Sequence, residues 1–206
     1  LKFDKLIAKL TNHWSSEFSE LKFNHQKILD DLIEFTRQRI ISHLEDSSYD
    51  KDIISATCES KNIRHLNNLN IADLKNRIET VQKFKLGNNS ANLINTISRY
   101  TKLASKGNMD NNIYSCKDKL NIELFEKKSE KDVFKVIQLL ENLVNTKDWK
   151  YNQLIKLFEE NIQILTEIFD INNGVMIMTE DLKLRNNRLN LLALVRNYSL
   201  LIADFI

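Results

Sequence analysis

Three arginines near the end of the chain, Arg185, Arg188 and Arg196, fall within about 80° of one another if Thr179–Ile206 is a single helix. A guanidinium forks onto phosphate oxygens and stacks on nucleobases, so this arc suits an anionic partner and RNA in particular. Asn187, between them, carries an amide that could meet a base edge. Farther up the chain Arg99, Lys102 and Lys106 recur at spacings of three and four, a basic edge on one helix. The plainer reading of both sets is a solvated charged face. Arg185 stands four residues after Asp181 and could simply pair with it.

Other chemistry is scarce. The sequence has no glycine-rich phosphate loop, no serine or cysteine in a nucleophile motif and no HExxH. His25 and His43 each precede acids, but helical spacing separates most of these groups. The four histidines (13, 25, 43 and 65) therefore read as solvated side chains, and no metal is expected. Cys58 and Cys116 stand far apart without a CxxC pair, which fits buried thiols in a reducing compartment. The segment is not expected to catalyse a reaction unaided.

The elements that must carry these residues are helical. The 206 residues include no proline and only three glycines, which argues against a sheet protein with its tight turns. Hydrophobic residues at 42% and charged residues at 28% are ordinary for a globular chain, and no apolar run is long enough for a membrane span or a signal peptide. Charge is uneven. Residues 61–128 carry 13 basic and 6 acidic groups, whereas residues 129–206 carry 9 and 11, so the middle third is the electropositive part. The opening LKFDKLIAKL, with Leu1 rather than Met in first place, reads as mid-helix and points to a segment of a longer polypeptide.

Hydrophobic spacing predicts helices over about 2–20, 25–45 (capped by Asn24), 53–59 after a turn at 47–52, 71–84, 92–106, 129–145 (capped at Ser129), 149–169 (capped by Asp148) and 179–206 (capped by Thr179). KNIRHLNNLN reads as a loop, LGNNS and DINNG as breaks, and 106–119 as a linker. The last helix is expected to be amphipathic. Leu184, Leu191, Val195, Tyr198, Ile202 and Phe205 form its apolar stripe, with the arginines accessible along its border. The fold expected is all-α, a helical bundle in two subdomains, 1–106 and 120–206.

The closing stretch EIFDINNGVMIMTEDLKLRNNRLNLLALVRNYSLLIADF resembles the C-terminal segment of bacterial glycyl-tRNA synthetase beta subunits. The matching pieces are Phe169-Asp170, Val175-Met176-Ile177-Met178, Glu180-Asp181, Leu184-Arg185-Asn186-Asn187-Arg188-Leu189, Leu191-Leu192 and Ala203-Asp204-Phe205. Upstream, Glu34–Arg39, Ile53–Ala56, Arg77–Phe84, Asn92–Ile94 with Arg99, Leu124–Glu126 and Glu130-Lys131 follow the family in collinear order. The link of Ile171–Gly174 is longer than the family's usual one, and Asn89-Ser90 and Ser98 depart from its pattern.

The resemblance implies a tRNA-binding body region over 1–106 and a DALR-type anticodon-binding bundle over 120–206. It implies tRNA(Gly) and the synthetase alpha subunit as partners in a cytoplasmic hetero-oligomer, with no membrane. ATP and magnesium are implied for glycine activation by the intact enzyme, and no cofactor for this segment. The candidate RNA contacts are Arg185, Arg188 and Arg196 with Asn187, and Arg99 and Lys102 toward the backbone. The alternative is a structural scaffold that docks a partner subunit through an exposed patch of Tyr198, Leu201 and Phe205. A small helical enzyme would need a deep pocket of histidines and carboxylates.

Overall fold

The computed structural model describes residues 3–18, 20, 24–47, 49–59 and 71–205. The expected loop at KNIRHLNNLN lies outside these residues. The described residues form α-helices and no strand, so the all-α expectation holds. In order the helices are α1 (Phe3–Glu17), α2 (His25–Asp46), α3 (Lys51–Ile54), α4 (Ile71–Lys85), α5 (Ser90–Ala104), α6 (Cys116–Lys119), α7 (Lys128–Val144), α8 (Tyr151–Glu160), α9 (Ile162–Glu167) and α10 (Leu182–Leu200). A π turn, Ser55–Glu59, continues α3.

Packing divides the chain into Leu1–Gln82 and Lys83–Ile206. This differs from the subdomains 1–106 and 120–206 read from composition. The stretch 106–119 looked like a linker because it lacks period, yet it belongs to the second unit and contains α6.

In the first unit α1 packs on α2, and α2 packs on α3. Asn24 caps α2 as expected, its Oδ1 accepting from Lys27 N at 3.1 Å. The buried Arg77 of α4 donates to Thr57 O, and Arg37 donates to Cys58 O at 3.4 Å, so side chains answer carbonyls at the irregular π turn. Along α1, Leu6, Leu10, Trp14 and Phe18 recur every four residues and are exposed.

The second unit is built around α10. Helix α5 lies along it, α7 and α6 pack against it, α9 touches both α5 and α7, and α8 rests on α7 and α9. From Asn187 to Asp204 every residue but Asn190 is buried. The expected one-sided stripe is therefore a rod enclosed on nearly all sides.

Three caps differ from expectation, each because a neighbouring side chain reaches the free N–H groups better. Helix α10 starts after Asp181, whose Oδ1 accepts from Lys183 N at 2.8 Å and Leu184 N at 3.1 Å, rather than at Thr179. These bonds hold the Asp181 carboxyl below its ordinary range. Its cap contribution is therefore present above the ordinary carboxylate pKa and is lost as pH falls through the lowered folded value. Helix α7 starts at Lys128, and Ser129 lies buried inside its first turn. The cap comes from Glu130, whose Oε2 accepts from Glu126 N and Lys127 N, each at 2.9 Å. Helix α8 starts after Lys150, whose N–H donates to Gln153 Oε1 at 2.8 Å, so Asp148 is not the cap. The helix expected over 149–169 is split at Asn161, whose amide donates to Leu157 O at 2.8 Å and competes with the helical ladder.

The DINNG break is a compact turn. Asp170 Oδ1 accepts from Asn172 N and Asn173 N at 2.8 Å each, and Val175 N returns to Ile168 O at 3.1 Å. A Cβ at Gly174 would meet Ile168 O at 2.6 Å and Asp170 N at 2.8 Å, so no side chain fits without moving backbone. Gly174→Ala is expected to cost about 1–3 kcal/mol in urea unfolding, against under about 0.5 kcal/mol for an alanine at the exposed Leu86. Equal midpoints for the two variants would contradict the close approach.

Candidate nucleic-acid interface

The expected contact residues divide into two groups with different surroundings. Arg188 is 4% exposed. Its Nε donates to Glu130 Oε1 at 2.9 Å, its Nη2 to Glu126 Oε2 at 2.8 Å and its Nη1 to Met176 O at 3.1 Å. Glu130 is fully buried, so one carboxylate both caps α7 and pairs with α10. Burial works against the guanidinium charge. The hydrogen bonds and charges of Glu130 and then Glu126 outweigh it and raise the Arg188 pKa.

Arg196 is 6% exposed and holds the 106–121 stretch. Its Nη2 donates to Met109 O at 3.0 Å and Asp110 O at 2.8 Å, and its Nε to Asn197 Oδ1 at 2.9 Å. Burial lowers its pKa, with the Asp110 charge opposing. Asn197 Nδ2 donates to Asp110 O at 2.9 Å and Asn112 O at 2.6 Å. Asn187 is 5% exposed and uses both ends of its amide on one residue: Oδ1 accepts from Asn121 N at 2.8 Å, and Nδ2 donates to Asn121 O at 3.0 Å. Asn190 Nδ2 donates to Lys119 O at 3.2 Å.

The border expected to be accessible is thus enclosed at Arg188, Arg196 and Asn187. Their own buried donors are answered by carboxylates and carbonyls, among which the Glu130 carboxylate is itself fully buried. Sequence reasoning missed Glu130, Glu126 and Asn121 as partners. A signal was present: Asn187, Asn190 and Asn197 fall within about 80° of one helix, a polar arc apart from that of the arginines. Tyr198 and Leu201, two members of the patch expected for a docking scaffold, are also buried.

The second group faces solvent. Arg99 and Lys102 are exposed along α5, Lys106 is exposed in the turn just after it, and Arg185 is half-exposed near the start of α10. Arg99 lies over the Phe169 ring, 4.4 Å from its centroid. That ring meets Tyr100 edge to face at 4.9 Å, and the buried Tyr100 hydroxyl donates to Leu165 O at 2.9 Å. The guanidinium is therefore held on a fixed platform at the edge of a groove shared with Asn92, Gln163 and Thr166.

Cys58 and Cys116 are both buried, and neither is in a disulfide. Burial first, then the hydrogen bond and charge of Glu141, push the Cys116 thiol up to about 12. No group of three His, Cys, Asp or Glu among the described residues is placed to hold a metal ion. Among them, no helix is long and apolar enough to cross a membrane.

Comparison with known proteins adds to this geometry. No family model matches the chain. Over 210 residues it is 27% identical to the glycine–tRNA ligase beta subunit of Acaryochloris marina, covering 100% of this chain and 29% of that protein. It is 26% identical over 204 residues to that of Gloeothece citriformis, covering 97% and 28%. With the Synechocystis subunit it is 29% identical over 183 residues, covering 83% and 25%. The chain is similar from end to end to glycine–tRNA ligase beta subunits. It spans less than a third of their length, and the family is the one its closing residues resemble.

Arg188→Ala would leave Glu130 buried without its partner and is expected to cost about 3–5 kcal/mol by denaturant unfolding. Arg185→Ala should stay within about 0.5 kcal/mol. Equal losses would contradict the division into enclosed and exposed arginines. Cys116 should resist thiol reagents at pH 8 in the native chain and react once the chain is unfolded; rapid native labelling would contradict its burial.

Proposed function

We propose that the chain is an RNA-binding part of a glycine–tRNA ligase beta subunit, holding tRNA(Gly) and contacting its anticodon through the second unit. The observation that carries this reading is the end-to-end similarity to those subunits. The exposed row of Arg99, Lys102 and Lys106, with Arg185, supports it, because such a row suits a phosphate backbone. Within this reading Arg188, Arg196 and Asn187 act at one remove: they fix the surface that the exposed cations decorate. Glycine activation, with ATP and magnesium, and the alpha subunit are assigned to the longer assembly.

Phosphate contacts release counterions, so binding should weaken steeply with salt. A titration of the chain with tRNA(Gly) across a salt series is expected to give a negative slope of log affinity on log salt. Lys102→Ala with Lys106→Ala should reduce that slope by about 2 and weaken all RNAs alike. An anticodon-swapped tRNA should bind less tightly than the cognate one. Absence of binding, or a slope unchanged in the double variant, would overturn the assignment.

A further inference from the structure

A polar cleft of about 330 Å³ opens between the 107–119 stretch and the first half of α10. This is at the small end of ligand clefts, which run from about 300 to 1,000 Å³. Its floor is the 107–110 backbone, which passes close to α10 because residue 107 is glycine; a Cβ there would meet Leu189 Cβ at 3.1 Å. One wall is the Tyr114 ring, whose hydroxyl donates to Asp110 Oδ2 at 3.1 Å and is fixed by it. The Lys119 ammonium lies 4.1 Å from that ring's centroid. The lining also includes the amides of the exposed Asn186 and of Asn190, whose Nδ2 donates to Lys119 O at 3.2 Å.

The cleft combines an aromatic face, a cation, and amides with both donor and acceptor atoms. Planar heterocycles with mixed donor and acceptor edges use that set, whereas a bare phosphate needs neither the ring nor the amides. Two cations adjoin lining residues in the chain, the exposed Lys106 before Gly107 and the half-exposed Arg185 before Asn186. They suit the phosphates on either side of a base turned inward.

We propose that this cleft receives one unstacked nucleobase of a bound RNA, with Asn186 and Asn190 meeting its edge and Tyr114 and Lys119 its face. The proposal rests on the RNA-binding reading and assigns the base-reading role to residues other than the enclosed arginines. Asn186 is the residue to vary, because it is exposed and its removal spares the bonds that hold the 107–121 stretch.

The test uses the full chain and tRNA(Gly) carrying 2-aminopurine at each unpaired loop position in turn. In the wild type one position should change its fluorescence on binding more than the others. Asn186→Ala should weaken that RNA about tenfold and abolish the preference among bases at that position. It should leave the salt slope unchanged, and RNAs already altered at that position should lose little further affinity. A variant that keeps the wild-type preference, or that weakens all RNAs equally, overturns the cleft assignment and leaves RNA binding standing. A wild-type chain that binds no RNA overturns both, and the first arm of the experiment reports it.

Discussion

A polar atom buried without a partner is expensive, and helix α10 is enclosed over most of its length while carrying six polar or charged residues there. The architecture of the second unit follows from satisfying them. Arg188 requires the carboxylate of Glu130, and so fixes where α7 begins. Asn187, Asn190, Arg196 and Asn197 require carbonyl acceptors, and the irregular stretch from Met109 to Asn121 supplies them. That stretch needs the helix as much as the helix needs it, because it has few backbone ladders of its own. One group is left unanswered: the Tyr198 hydroxyl is buried with no hydrogen-bond partner among the described residues, and burial raises its pKa.

The helical class and the approximate helix positions were legible in the sequence, since apolar spacing and the lack of proline report directly on local structure. Asn24 was legible as a cap because its effect is confined to one turn. The caps at Asp181, Glu130 and Gln153 were harder, because several neighbouring residues compete for the same free N–H groups and geometry decides among them. The enclosure of α10 was not legible from its arginines alone. Arginine is mostly exposed, and nothing local to Arg188 points to Glu130, which lies 58 residues away. The stretch 106–119 reads as a linker for the same reason: its order comes from distant side chains, not from its own period.

The candidate surface is consequently indirect. Enclosed arginines and asparagines hold a polar strap against α10, and the strap and helix together shape the cleft that Lys119, Tyr114 and Asn186 line. The exposed Arg99 and Lys102 of α5 and Lys106 just beyond it precede the strap in the chain. In the proposed function affinity and selectivity rest on different residues: exposed Lys and Arg for phosphate, amides and an aromatic face for a base. The buried network accounts for why so many polar residues sit on the enclosed part of α10.

Hydrogen exchange of backbone amides measures the fastening of the strap most directly. In the native chain the amides of Cys116 and Asn121, bonded to Glu141 Oε2 at 3.1 Å and Asn187 Oδ1 at 2.8 Å, should exchange far more slowly than an open loop. Asn187→Ala should speed exchange at Asn121 while α7 keeps its protection. Exchange at open-chain rates across 107–121 in the wild type would contradict the account.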